Sequence, residues 1–93
     1  MELSHFQGLM ARTYGERDKS RGLPVTIAWL TEELGELAQA TRKGSRAQQL
    51  LELSDVLAWL ASLANQLGLS LDEAAIRYSR GCPKCGTIPC SCD

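Results

Sequence analysis

The stretch LPVTIAWLTEELGELAQATRKGSRAQQLLELSDVLAWLASLANQLG, residues 23–68, decides the fold. Its apolar residues recur every three or four positions: Ile27, Leu30, Leu34 and Leu37, then Leu53, Val56, Leu60, Leu63 and Leu67. That is the period of a helix with one buried face. Pro24 suits a first helical turn, and Lys43-Gly44 suits a basic last turn capped by a left-handed glycine. Ser45 with Gln48 offers a capping box for the next helix, which Gly68 ends. The spacing therefore predicts two long helices folded back at Gly44 as an antiparallel hairpin, with the two leucine stripes as the core.

Outside this hairpin the same rules predict flanking helices. Leu3, Phe6, Leu9 and Met10 mark a first helix over 3–14, with Ser4 and Gln7 as a capping box. Residues 15–22, charged and bracketed by glycines, read as a connecting loop. Ser70 with Glu73 opens a short last helix through Tyr78. No strand-like alternation occurs, so the fold class is all-α. Residues 1–80 form the helical domain, and residues 81–93 form a separate tail that holds all four cysteines. A chain of 93 residues buries a modest share of its surface, so the leucine-rich faces call for a partner copy and a dimeric helical bundle.

Composition narrows the function. A net charge of −1 argues against a binder of nucleic-acid polymers, which needs a basic surface. No apolar run reaches membrane-span length, and Met1–Met10 lacks the form of a secretory signal. These features point to a cytoplasmic protein with no membrane partner.

The acidic residues of the hairpin are spaced symmetrically about its turn. Glu36 lies eight residues before Gly44 and Glu52 eight after; Glu33 lies eleven before and Asp55 eleven after. Spacings of three put Glu33 with Glu36, and Glu52 with Asp55, on one side of each helix. In a tight hairpin the pairs sit at matching heights beside the core. Four converging carboxylates repel one another unless a cation compensates, and a hard divalent ion such as Mg²⁺ or Mn²⁺ wants such oxygens together with substrate phosphates. The bland alternative is a solvated acidic face. Trp29 and Trp59 lie fifteen residues either side of Gly44, at one end of the acidic patch. They are either core packing or a stacking platform for a base. Gly35, inside the second helix, suggests close approach of another element or is a purely tolerated glycine. His5 is the only histidine and reads as a surface or packing residue.

Thr31-Glu32-Glu33-Leu34-Gly35-Glu36-Leu37, followed by Glu52-Leu53-Ser54-Asp55, resembles the E-E-x-x-E…E-x-x-D signature of MazG-type nucleotide pyrophosphohydrolases. The resemblance spans roughly residues 10–80. It implies an all-α fold that dimerises or assembles further, and Mg²⁺-dependent cleavage of a nucleoside triphosphate to monophosphate and pyrophosphate. By motif position Glu33, Glu36, Glu52 and Asp55 correspond to the metal ligands. Glu32 is the remaining motif glutamate, for a further metal or for orienting water. Arg17, Lys19, Arg21 and Lys43 are the basic candidates for phosphate contacts. After the fourth helix the chain departs from longer family members, which leaves phosphate contacts and base selection to other residues or a partner subunit. Two other classes fit the pattern: a non-catalytic module that binds a cation or nucleotide, and a structural helical dimer.

Cys82, Cys85, Cys90 and Cys92 follow C-x2-C-x4-C-x-C with Gly81, Pro83, Gly86 and Pro89 around them. Four thiolates suit a structural Zn²⁺. A redox pair at Cys82 and Cys85, two disulfides, or free thiols are the rivals.

Overall fold

The computed structural model describes residues 1–93. Four helices follow one another: α1 (Leu3–Arg21), α2 (Leu23–Lys43), α3 (Arg46–Leu67) and α4 (Leu71–Ile76). There is no strand. α2 pairs with α3 along most of its length, α1 crosses α3, and α4 returns to α1. No helix is long and apolar enough to cross a membrane.

The hairpin turn is built as the sequence predicts at Ser45 and differently at Gly44. The Ser45 hydroxyl accepts from the Gln48 amide at 3.2 Å, and the Gln48 side chain accepts from the Ser45 amide at 2.7 Å. Two orphan donors of α3 are thereby satisfied. Gly44 is extended, at φ −98°, not left-handed. Glycine is needed there for space: a Cβ would lie 2.8 Å from the Ala40 carbonyl oxygen and 2.9 Å from its Cα. Gly68, at φ 68°, does take the left-handed cap of α3. Gly35 has nothing within 4 Å of where its side chain would be, so no element of this chain makes the expected close approach.

The charged stretch at 15–22 is helix, not loop. α1 runs to Arg21, and Gly22 alone separates it from α2. Arg, Lys and Glu are good helix formers, and the cost of one Gly15, about 1 kcal/mol, is small against tertiary anchoring. The anchor is visible: Gln66 Nε2 on α3 donates to the Asp18 carbonyl at 2.6 Å. Gly22 then turns the chain at φ 87°, a value natural only to glycine. Its amide donates to Asp18 O, and its carbonyl accepts from the Thr26 amide and hydroxyl.

The expected capping box at Ser4 and Gln7 is absent, because Glu2, two residues before Ser4, is the N-cap of α1 and makes no side-chain cap. Gln7 instead clasps three elements. Its Nε2 donates to Asn65 Oδ1 at 3.0 Å and to Leu69 O at 2.7 Å, while its Oε1 accepts from the Leu71 amide at 2.8 Å. Asn65 Nδ2 returns a bond to Gln7 O at 3.1 Å. One side chain therefore satisfies groups at the end of α3 and the start of α4. α4 stops at Ile76, short of the expected Tyr78.

The core is small: Ala40, Ala61, Ala64, Thr26, Ser62 and Asp18 are the buried residues. Small side chains let α1 and α2 approach α3 closely. The predicted leucine stripes are only partly covered. Ile27 and Leu34 are each 50% exposed and Leu53 52%. The chain exposes 6926 Å², against roughly 5,300 Å² for a compact monomer of its mass. Its radius of gyration is 15.4 Å, against about 12 Å for a compact chain of this length.

The Gln7 clasp yields a first expectation. Gln7→Ala strands the Leu71 amide, Asn65 Oδ1 and the Leu69 carbonyl and should destabilise the fold by ~1–3 kcal/mol. Thermal unfolding checks this; a melting temperature equal to the parent's would show that solvent replaces the clasp.

Candidate active site

Facing turns of α2 and α3 gather the acidic motif. Carboxylate oxygens of Glu33, Glu36 and Glu52 all lie within 4.8 Å of one another. Glu36 is exposed, while Glu33, Glu52 and Asp55 are half-buried. Glu33 Oε2 and Glu52 Oε2 are buried and have no hydrogen-bond partner. The register set by the turn at Gly44–Ser45 brings Glu36 opposite Glu52, as the symmetric spacing predicts. Asp55 stands outside the group of three and lines the cavity beside the tryptophans.

Electrostatics express the crowding. Burial and the neighbouring Glu36 and Asp55 charges push the Glu33 carboxyl up from 4.5 to about 7. Burial also raises Glu52, helped by a hydrogen bond with Glu36 and the Glu36 and Asp55 charges. Glu36 stands within 4.8 Å of both Glu33 and Glu52, a crowding of like charge that protons must relieve where no cation is bound. A divalent cation would take the place of those protons. The residues fit one: hard carboxylate oxygens, at ligand separation, two of them buried and otherwise unsatisfied.

Next to the carboxylates is a cavity of about 280 Å³ lined by Tyr14, Arg17, Asp18 and Arg21 of α1, Trp29 of α2, and Asp55, Ala58, Trp59 and Ser62 of α3. The two indoles meet at 5.4 Å between ring centroids, tilted by 49°. The Arg21 guanidinium lies 4.7 Å from the Trp59 ring centre and 5.9 Å from that of Trp29. Asp18 holds it there, with Oδ1 accepting from Arg21 Nη1 at 2.8 Å. Asp18 is 2% exposed, and its Oδ2 has no partner. On the other side of the acidic group, towards the turn, an open cavity of about 440 Å³ is lined by Glu36, Glu52, Lys43, Gln48, Gln39, Ala40 and Gly44.

The structure thus brings together Glu33, Glu36 and Glu52, places Asp55 between them and the Trp29–Trp59 pair, and sets Arg21 over the rings. Glu32 is exposed and outside the cluster, and Lys19 is exposed and lines neither cavity. Asp18 and Tyr14 are the members that sequence reasoning missed. Asp18 and Arg21 stand three apart, a helical ion-pair spacing, but that signal is lost when 15–22 is read as a loop. His5 is exposed and lines neither cavity.

At the far end, Cys82, Cys85, Cys90 and Cys92 also come together, with one sulfur of each within 4.8 Å of the others. Hydrogen bonds from the Thr87 and Ser91 side chains hold the Cys85 thiol down, at about 5.

Comparison with known proteins agrees with this geometry. No curated protein matches the chain. The model of the MazG nucleotide pyrophosphohydrolase domain matches residues 22–84, which take in the whole hairpin, both acidic pairs and both tryptophans. Since the match covers more than half of the sequence, the chain belongs to the MazG nucleotide pyrophosphohydrolase domain family.

Proposed function

We propose that this protein hydrolyses a nucleoside triphosphate to the monophosphate and pyrophosphate with Mg²⁺ or Mn²⁺, in the manner of a nucleotide-pool house-cleaning enzyme. The observation that carries the reading is the carboxylate group itself. Glu33, Glu36 and Glu52 are crowded within 4.8 Å beside an aromatic cavity, an arrangement that favours a metal–phosphate complex on one side and a base on the other.

Glu33, Glu36, Glu52 and Asp55 are the residues that would hold the cation. When bound, it would neutralise phosphate charge and make water a better nucleophile. Hydrolysis adds water across one phosphoanhydride: hydroxide goes to one phosphorus and the proton to the leaving oxygen, releasing pyrophosphate. A carboxylate free of metal accepts the proton of the attacking water. Trp29 and Trp59 supply π-faces for the base. Arg17 and Arg21 line the same cavity and carry the positive charge that phosphates need, while Lys43 lies across the carboxylates beside the turn.

The active form is a homo-oligomer, at least a dimer. The surplus exposed area is roughly 1,600 Å² over a compact monomer, and it includes the half-exposed leucines of α2 and α3. Burying such a face on each of two copies removes roughly 3,000 Å², the size of an obligate homodimer interface. Light scattering should therefore give at least twice the chain mass at micromolar concentration. A chain mass at every concentration would overturn the assembly.

Product analysis is the direct test of the chemistry. With Mg²⁺ or Mn²⁺ and a panel of normal and modified nucleoside triphosphates, pyrophosphate should appear in step with monophosphate. Glu36→Gln should lower turnover by ~100-fold or more with helix content intact. Release of inorganic phosphate instead, or full activity in Glu36→Gln, would reject the mechanism; metal binding without turnover of any triphosphate would leave a nucleotide-binding module.

The raised carboxyls also set a pH dependence. In metal-free protein the folded Glu33, at about 7, binds its proton more tightly than the unfolded carboxyl at 4.5. Its contribution is fully present below 4.5 and is lost as pH rises through 7. Glu52 acts in the same direction. Chelator-treated protein should therefore lose melting temperature over this range, relative to Glu33→Gln, and Mg²⁺ should raise it more at pH 8 than at pH 5. Parallel pH profiles for parent and variant would show that the carboxyls are not coupled to folding.

A further inference from the structure

Beyond the acidic site, the molecule holds a second cluster that hydrolysis does not use. Residues 81–93 have almost no buried surface: Ile88 is 80% exposed, and only Gly81, Cys82 and Cys85 are half-buried. Thirteen residues held in one shape without a core need another source of order. The four cysteines converge at the centre of that shape.

We propose that residues Gly81–Asp93 fold around a single Zn²⁺ held by the thiolates of Cys82, Cys85, Cys90 and Cys92, as a structural site independent of the acidic one. Sulfur spacing is the first argument. A tetrahedral ion with Zn–S bonds of about 2.3 Å sets its sulfurs about 3.8 Å apart. Here Cys82 and Cys92 stand 3.7 Å apart and Cys85 and Cys90 4.0 Å, with all four inside 4.8 Å. Disulfides, at about 2.05 Å, would draw two pairs together and leave the pairs without a common centre.

Backbone geometry is the second. Gly81 and Gly86, at φ 91° and 71°, flank Cys82-Pro83-Lys84-Cys85. The Gly86 amide donates to Cys82 O at 2.7 Å and the Cys82 amide to Thr87 O at 3.3 Å. That closes a tight loop which aims both sulfurs inward. A Cβ on Gly81 would collide with Ile88 and with the Thr87 carbonyl. Amides then point at sulfur: Ser91 N donates to Cys85 Sγ at 3.3 Å and Cys92 N to Cys90 Sγ at 3.4 Å. Such donors offset the negative charge of four thiolates around a 2+ ion.

Ligand chemistry separates this site from the other. Soft thiolates select zinc, whereas hard carboxylates select magnesium. Binding replaces the protons still held by the four sulfurs with the ion and releases them to solvent. Four protein ligands leave no open position for water, so the site orders the tail and does no chemistry.

The test uses the full chain. Elemental analysis after gel filtration should find one zinc per chain, retained in Glu36→Gln and reduced at least tenfold in Cys85→Ser. Cobalt in place of zinc should give the visible absorption of a tetrahedral thiolate centre. Gly81→Ala, which keeps all four thiols, should release zinc at a lower concentration of chelator than the parent. Four thiols titratable in metal-free native protein that takes up no zinc, a mass lowered by disulfide formation, or zinc unchanged in Cys85→Ser would each overturn the proposal.

Discussion

The turn at Gly44–Ser45 sets the register of α2 against α3, and the acidic site depends on that register. Gly44 fits because Ala40 leaves no room for a side chain, and the Ser45–Gln48 capping box fixes where α3 begins. One residue more or less in this turn rotates the acidic pair of α3 by about 100° relative to that of α2. The carboxylates would then point to different sides and repel one another no longer. Crowding like charges opposes folding, so the register must be held by neutral features, and it is: a cap, a glycine and small buried alanines do the holding.

The same small residues explain why the chain stays open on its other side. Ala40, Ala61 and Ala64 bring the helices close, but they bury little apolar surface at about 25 cal/mol per Å². The larger side chains, among them Ile27, Leu34 and Leu53, lie at the edges and remain half exposed. Polar clasps compensate in part, with Gln7, Gln49 and Gln66 bonding to carbonyls of other elements. The leucine stripe that looks like a core in sequence is therefore half core and half face. Periodicity reports that a residue avoids water; it does not say whether the cover comes from the same chain.

Local rules made α2, α3 and their acidic pairing legible. Helical period, Pro24, Ser45 with Gln48, and Gly68 act within a few residues of themselves. The extension of α1 was not legible, because it rests on Gln66 reaching Asp18 across the fold. With it went the Asp18–Arg21 pair and the α1 wall of the aromatic cavity. Symmetry about Gly44 found the four acidic positions and both indoles. It could not show that Asp55 faces the cavity while Glu33, Glu36 and Glu52 crowd together, since that depends on rotamers and on the local crossing of two helices. The family match takes in α2 to α4 and leaves α1 outside; its range ends at residue 84, inside the tail.

Arg21 links charge to recognition. Its guanidinium rests over both indoles while bonded to buried Asp18. The rings therefore present a face already covered by a cation, and in the proposed reaction a base would either stack on what remains or displace it. Displacement would leave the Asp18 carboxyl buried with neither of its oxygens bonded, which is costly. A base carrying an amino group could take up the free Oδ2 without that loss. In the proposed reaction the Asp18–Arg21 pair would thus add selectivity to a cavity whose aromatic walls by themselves would accept any base.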